Sequence, residues 1–415
     1  MTTTTLLTVN QALDHILSVL TPLPAERVPL LASYGRVLAE DVRAAQDIPP
    51  FTNSAMDGYA VRAVDAGAAT RAAPARLRVV GQVAAGDVPR VEVSPGVAVR
   101  IMTGAPLPRG ADAVVRFERT RADGGDVLIL AAPQVGENVR QAGEDVRAGA
   151  VALAAGVVIR PPIVGLLASL GCSSVACHRR PRVAVLSTGD ELVDIDAPLT
   201  PGKIRNSNGY TLAALVADAG GVPVPLGIAR DNYADLHARI EAGLAEGVDL
   251  FLTSAGVSVG DYDVVKDVLA GEGTMGFWQV AIKPGKPLAF GRIRGVPIIG
   301  LPGNPVAAAV TFEAFARPAI FRLSGRVGAT RVALPATLAE DIENSGRRHY
   351  MRAWVRRVGD DLVVTTRGYG VTVQGSGILS SLAWANCLLI VPEDVTHLAA
   401  GARVDVELLV DSLDA

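Results

Sequence analysis

Val183-Ala184-Val185-Leu186-Ser187-Thr188-Gly189-Asp190-Glu191 decides the fold class of this 415-residue chain. An apolar run too short for a helix leads straight into two hydroxyls, a glycine and two carboxylates, as a buried strand does where it ends in a polar loop. The pattern recurs downstream. Residues 222–228, 250–253 and 297–301 read as further strands, and helical patterns follow the four strands at about 209–219, 233–245, 262–269 and 306–321. Short strands alternating with longer helices mean βαβ units, hence an α/β domain with a mainly parallel sheet in three layers. Ligands then bind beyond the carboxyl ends of the strands.

Outward from this block the pattern changes on both sides. Residues 8–45 read as helical in two pieces, because Leu13, Ile16, Leu17 and Leu20 fall at helical spacing before Thr21-Pro22 stops the first. From 51 to about 145 the chain has short β runs, 77–83, 91–93, 98–102, 113–117 and 127–130, divided by Gly, Pro and Asp turns. These predict a small β module, and a further helix is expected over 162–170. Beyond Arg326 the alternation stops, and runs at 350–358, 362–366, 387–391 and 404–409 predict a separate all-β domain.

Composition narrows the function classes. With 49% hydrophobic and 20% charged residues and a formal net charge of -3, the chain reads as an ordinary soluble protein without a nucleic-acid surface. Its longest apolar runs, such as 151–159, fall short of the ~20 residues that span a bilayer, and residues 1–9 lack a basic region and hydrophobic core. The expectation is a cytoplasmic protein with no membrane partner. Cys172, Cys177 and Cys387 fit no disulfide framework, and His15, His178, His237, His349 and His397 are dispersed without zinc spacing. Chemistry through thiol or zinc is therefore not expected.

Candidate chemistry gathers in the loops of the α/β block. Ser187, Thr188, Asp190 and Glu191 follow the first strand, with Gly189 permitting a close approach. Arg205-Asn206-Ser207-Asn208 precedes a helix, with Asn208 as the expected N-cap, and Arg230-Asp231 follows the second strand. The densest loop runs Thr253-Ser254-Ala255-Gly256-Val257-Ser258-Val259-Gly260-Asp261-Tyr262-Asp263. Its amides and hydroxyls can wrap a phosphate, and Asp261 or Asp263 can hold Mg²⁺ that offsets the phosphate charge. Lys203, Lys266, Lys283 and Lys286 are the only lysines among 39 basic residues, and Lys283-Pro284-Gly285-Lys286 aims two compact ammonium groups from one turn. Leu301-Pro302-Gly303-Asn304-Pro305 ends the last strand of the block. Each feature also has a plain structural explanation, as helix caps, turn formers or solvated charges. No Gly-x-Gly-x-x-Gly or Gly-x-x-x-x-Gly-Lys-Ser/Thr motif is present, which disfavours a dinucleotide or Walker-type site. Outside the block, 53–60, 101–106, Arg352 and Gln374-Gly375-Ser376-Gly377 are either turns or parts of a site.

Taken together, the segments 53–60, 101–115, 135–159, 187–192, 253–266, 283–290, 301–306 and 374–381 resemble the molybdopterin molybdenumtransferase family, the MoeA-type enzymes related to the C-terminal part of gephyrin. The resemblance implies a four-domain homodimer. A helical dimerisation domain would comprise 1–50 and 145–178, with the β module 51–144 inserted into it. Residues 179–326 would form a domain similar to molybdopterin adenylyltransferases, and 327–415 a C-terminal β-barrel-like domain. The family's active site lies between subunits, so Asp57, Thr103, Arg140 and Asp145 would face Glu191, Asp231 and Asp263 across the interface.

The implied reaction takes adenylylated molybdopterin and molybdate to molybdenum cofactor and AMP with Mg²⁺. A molybdopterin adenylyltransferase would be the substrate donor. Asp57, Thr103, Glu191, Asp231 and Asp263 are the implied catalytic residues, and Asp190, Glu191 and Asp263 the metal ligands. Substrate binding falls to Arg140, Asp145, Ser187, Thr188, Gly189, Asp190, Ser254, Gly256, Ser258, Gly260, Pro302, Gly303 and Asn304. Lys283, Lys286, Arg352 and Ser376 would bind molybdate. Two positions depart from the family pattern: Ala255 replaces a glycine, which would narrow the loop or hold φ below zero, and Ala307 replaces a serine. The rivals are a molybdopterin adenylyltransferase and a non-enzymatic dimeric carrier or scaffold.

Overall fold

A computed structural model describes residues 6–255, 273–328, 331, 333–368, 370 and 373–410. Four strands, Val222–Ala229, Arg182–Thr188, Leu250–Ser254 and Val296–Leu301, lie side by side in that order, and each neighbouring pair is parallel. Alternation along them sends side chains to opposite faces. Val183, Val185, Leu252 and Ile299 pack with Leu212 and Val216 of the helix Ser207–Asp218, whereas Ala184, Leu186, Phe251 and Ile298 pack with Leu236 and Ile240 of the helix Tyr233–Ala245. A sheet covered on both faces needs unbroken apolar strands, which is what these runs are.

The sheet also extends beyond the parallel block. Pro287–Ile293 pairs antiparallel with Val296–Leu301, Gly273–Val280 antiparallel with Pro287–Ile293, and Leu6–Leu7 parallel with Gly273–Val280. The antiparallel step follows from the two-residue turn Arg294-Gly295, where φ is +45° and +88°. Two left-handed residues close a hairpin and cannot make a crossover.

The first helix departs from its expected place. Val9–Ser18, started by a capping box between Thr8 and Gln11, buries Val9, Ala12 and Ile16 in the same cluster as Val183 and Phe312. It therefore packs on the α/β core and not among the residues paired with 145–178. The second helical piece expected within 8–45 is absent. Ala25–Pro29 is instead a strand against Ser174–His178, followed by a single turn at Leu30–Ser33. The helix Pro161–Ser169 contributes Leu167 to the small core of this region.

The inserted module is a six-stranded sheet in the order Ala113–Arg116, Gly58–Val61, Val97–Ile101, Ala75–Val83, Asp126–Ile129 and Thr120–Asp123. Residues 91–93 form no strand, although Val93 is buried. Gly58–Val61 reads as a turn in the sequence but lies inside the sheet. A Cβ on Gly58 would sit 2.1 Å from the Val115 carbonyl oxygen, so the glycine is required by close strand approach.

At the C-terminal end, Arg348–Val358, Asp361–Thr365, Ala333–Leu338, Arg403–Leu408 and Cys387–Val391 pair in sequence, and the last pairs back with the first to close a barrel. Ile282–Lys283 joins its rim, parallel to Arg348–His349. The lysine turn is thereby hydrogen-bonded to the barrel as well as continuous with the sheet. No helix among the described residues is long and apolar enough to cross a membrane.

Candidate active site

The carboxyl end of Arg182–Thr188 is built on a buried hydroxyl chain. Ser254 Oγ donates to Ser187 Oγ (3.2 Å), which donates to Asn206 Oδ1 (2.9 Å), and that oxygen also accepts from the Gly209 amide (3.0 Å). Asn206, not Asn208, is thus the N-cap of its helix. Asn208 reaches sideways, its Nδ2 donating to the Gly303 carbonyl at 2.7 Å. Asn304 Nδ2 in turn donates to Ser376 Oγ (3.1 Å), and the Val306 amide to the Ser376 carbonyl (3.0 Å). These links place the Pro302–Pro305 turn between the first α/β loop and the C-terminal domain.

The loops surround a cleft of about 830 Å³, a volume suited to a cofactor-sized ligand. Of the predicted site residues, Thr188, Glu191, Ser254, Lys283, Lys286, Pro302, Gly303, Asn304 and Ser376 line it. Ser187 is fully buried behind the wall and positions Asn206 and Ser254. Gly189 has φ +143°, and a Cβ there would lie 2.4 Å from Glu191 Oε2, so the glycine lets that carboxylate fold against the backbone. Ala255 has φ +76°. The alanine has therefore kept the left-handed conformation that suits glycine, contrary to the expected negative φ, and carries the strain of its β-carbon.

One wall of the cleft is cationic. Gly285 allows the lysine turn to pack against the last helix of the α/β block, since a Cβ would meet Thr311 Cγ2 at 2.5 Å. Lys283 is half-buried and Lys286 exposed. Arg347 and His349, which the sequence reading leaves unassigned, complete this wall. Among the described residues none of Lys283, Lys286, Arg347 and Arg352 forms an ion pair. Burial first, then Lys283, Arg352 and Arg347, press the His349 imidazole down to about 3.

Arg352 is fully buried, does not line the cleft, and is lowered to about 10 by burial. Its Nη2 donates to the Val373 and Gly375 carbonyls (3.0 Å each) and its Nε to Ser381 Oγ (3.1 Å), while Nη1 is buried without a partner. The guanidinium holds the 373–377 segment from behind.

Of the acidic residues Glu191 lines the cleft, whereas Asp190 and Asp231 adjoin each other outside its lining. The Asp231 amide donates to Asp190 Oδ1 at 3.4 Å, and the Asp190 carbonyl accepts from Lys203 Nζ. Asp231 is raised, chiefly by burial and further by the Asp190 and Glu191 carboxylates. Among the described residues no three Asp, Glu, His or Cys groups come close enough to hold a metal. Asp263, with Gly256, Ser258, Gly260 and the helix expected at 262–269, lies outside the described residues.

Asp57, Thr103, Arg140 and Asp145 are absent from the lining of their own chain's cleft. Asp57 and Thr103 adjoin each other at one end of the inserted sheet. Arg140 is exposed on a short strand paired with Asn53–Ser54, and Asp145 is exposed with its amide bonded to the Ile48 carbonyl (3.0 Å).

Three family models match the chain in succession: the MoeA N-terminal region (domain I and II) over residues 7–171, the probable molybdopterin binding domain over 184–322, and the MoeA C-terminal region (domain IV) over 335–409. Molybdopterin molybdenumtransferase 2 of Mycobacterium tuberculosis is 41% identical over 386 residues, covering 91% of this chain and 94% of that protein. The molybdopterin molybdenumtransferase of Haemophilus influenzae is 36% identical, over 97% and 98% of the two chains. A molybdopterin biosynthesis moeA protein from Pyrococcus horikoshii, known as a crystal structure, superposes with a TM-score of 0.83 at 32% identity, over 97% of this chain and 100% of that one. Sequence likeness and likeness of fold both run from the N-terminal helix to the barrel, and on that full-length agreement the chain belongs to the molybdopterin molybdenumtransferase family.

Proposed function

We propose that the cleft inserts molybdate into adenylylated molybdopterin, releasing molybdenum cofactor and AMP. The observation that carries this reading is the make-up of the lining. Lys283, Lys286 and Arg347 line the cleft without a carboxylate partner among the described residues, and Glu191, Thr188, Ser254 and Arg205 line it with them. Cations match a tetrahedral dianion. Hydroxyls beside carboxylates suit a diphosphate held with a hard divalent ion.

Asp231 is raised chiefly by burial and further by the Asp190 and Glu191 carboxylates, a repulsion that a divalent ion beside them would relieve. Asp190 and Glu191, with Asp263, would hold the ion, which when bound supplies neutralisation of the phosphate charge. Lys283, Lys286 and Ser376 hold molybdate, while Arg352 fixes the Ser376 segment and adds positive charge from behind. Asp231 orients substrate or a water. No protein nucleophile is needed, since positioning and charge neutralisation suffice.

Asp57, Thr103, Arg140 and Asp145 enter this scheme from a second copy of the chain, which makes a homodimer the working unit. A molybdopterin adenylyltransferase supplies the substrate. The test is release of AMP and formation of active cofactor from adenylylated molybdopterin, molybdate and Mg²⁺, run beside ATP with molybdopterin. Adenylylation in the second assay without turnover in the first would replace the reading with an adenylyltransferase.

A further inference from the structure

His349 has no role in the scheme above, yet its surroundings are unusual. It is 3% exposed, contributes to the lining of the cleft, and its Nδ1 is buried without a hydrogen-bond partner. Buried polar atoms in native folds are almost always satisfied, so an orphan in a ligand cleft points to a partner that arrives with the ligand. In the parallel pairing of Ile282–Lys283 with Arg348–His349, Lys283 and His349 are register partners. Their side chains therefore leave the sheet on the same side.

The charges around the ring define what it can offer. Lys283, Arg347 and Arg352 all disfavour the imidazolium, and burial does so more strongly, which keeps the ring neutral. A neutral imidazole still has one N–H to donate, and with Nδ1 unengaged its tautomer is free to follow the ligand. Another cation at this point would add repulsion to a wall that already lacks counter-charges among the described residues. A neutral ring adds a directional donor without that penalty. Lysine ammonium groups rotate freely and act as point charges, whereas an imidazole packed into the wall can orient one oxygen of a tetrahedral anion.

We propose that the His349 imidazole is a further ligand of the tetrahedral oxyanion, donating an N–H to one of its oxygens beside Lys283 and setting its orientation. The inference rests on the oxyanion reading of the lysine wall. It concerns the oxyanion alone and leaves the pterin substrate unaffected.

The experiment measures sodium molybdate binding to the full-length protein by calorimetry, together with the KM for adenylylated molybdopterin, in wild type, His349→Leu and His349→Gln. Loss of one donor to a charged ligand should weaken molybdate binding roughly tenfold in His349→Leu. His349→Gln, which keeps a donor, should recover most of it, and the KM for the pterin substrate should not change in either. In the wild type, saturating molybdate should shift the imidazole nitrogen resonance of His349, identified by its absence from the His349→Gln spectrum. Wild-type affinity in His349→Leu, or an unmoved imidazole resonance, would overturn the inference while leaving the oxyanion site standing. Equal weakening in both variants with an unmoved resonance would reduce His349 to a packing residue. A wild-type protein that binds no molybdate would remove both the inference and the oxyanion reading.

Discussion

Asp57 Oδ1 accepts two hydrogen bonds from one residue, the backbone amide of Thr103 at 2.7 Å and its hydroxyl at 2.8 Å. The amide first, then the hydroxyl, and further the nearby Arg100, hold the Asp57 carboxyl below its usual range. A depressed carboxyl favours the fold above its unfolded pKa and loses that effect as pH falls through the folded value. Thr103→Val removes the hydroxyl bond and keeps the amide. The Asp57 pKa should rise part of the way back, read by carboxyl carbon NMR, and the acid limb of the activity profile should move to higher pH.

The placement of Asp57 and Glu191 on different sides of the proposed interface has a quantitative consequence. Asp57→Asn and Glu191→Gln should each be inactive alone. After unfolding and joint refolding, random pairing should restore roughly a quarter of the wild-type sites, because half the dimers are mixed and each mixed dimer has one intact site. No recovery would place both residues in the same subunit's site.

Lys283 and Lys286 should act on one substrate more than the other. Replacing both by alanine should raise the molybdate concentration needed for half-maximal rate roughly ten- to a hundredfold, as expected for lost charge-assisted bonds. The KM for adenylylated molybdopterin should change far less. Equal effects on both substrates would reject a specific anion role.

Ala255 holds φ at +76°. Replacing alanine by glycine ordinarily destabilises through the unfolded chain, but here relief of left-handed strain opposes that cost. Ala255→Gly should be neutral or stabilising by up to about 1 kcal/mol in urea unfolding. A loss of similar size would mean that the alanine side chain contributes packing that outweighs its strain.

Glu407 lies on the barrel strand Arg403–Leu408, where burial, then the Glu313 carboxylate, pushes it up to about 7. A carboxyl raised in the fold stabilises it below the unfolded pKa, and this is lost as pH climbs through the folded value. Glu407→Gln should therefore melt with the wild type near about pH 4 and above it near about pH 8. Parallel melting curves across that range would show that Glu407 ionises as freely folded as unfolded.

Local pattern carried the α/β block. The four apolar runs that form its parallel strands stand out because both sheet faces are covered, and the polar loops after them reach the cleft through Thr188, Glu191 and Ser254. What was not legible depends on pairings between distant segments. His349 is an isolated histidine until Arg348–His349 aligns with Ile282–Lys283, and Gly58 looks like a turn residue until Val115 crosses it. Asn206 takes the cap from Asn208 because Ser187, also remote in sequence, fixes its side chain. Arg352 is a cation on a strand in the sequence, and only the fold shows that it also braces the 373–377 segment through the Val373 and Gly375 carbonyls.

Leu6–Leu7 completes the sheet edge against Gln279 and Val280. On the ribosome, residues 6 and 7 emerge long before the strand they must join, and the helix that follows them waits for the same core. Until that partner is synthesised, the apolar stripe of Val9, Ala12 and Ile16 has nowhere native to go. Long sequence separation slows such closure and leaves a sticky segment in the open. The nascent chain is thus open to misassembly at its front end, and a chaperone that shields early apolar helices would raise the yield of folded protein.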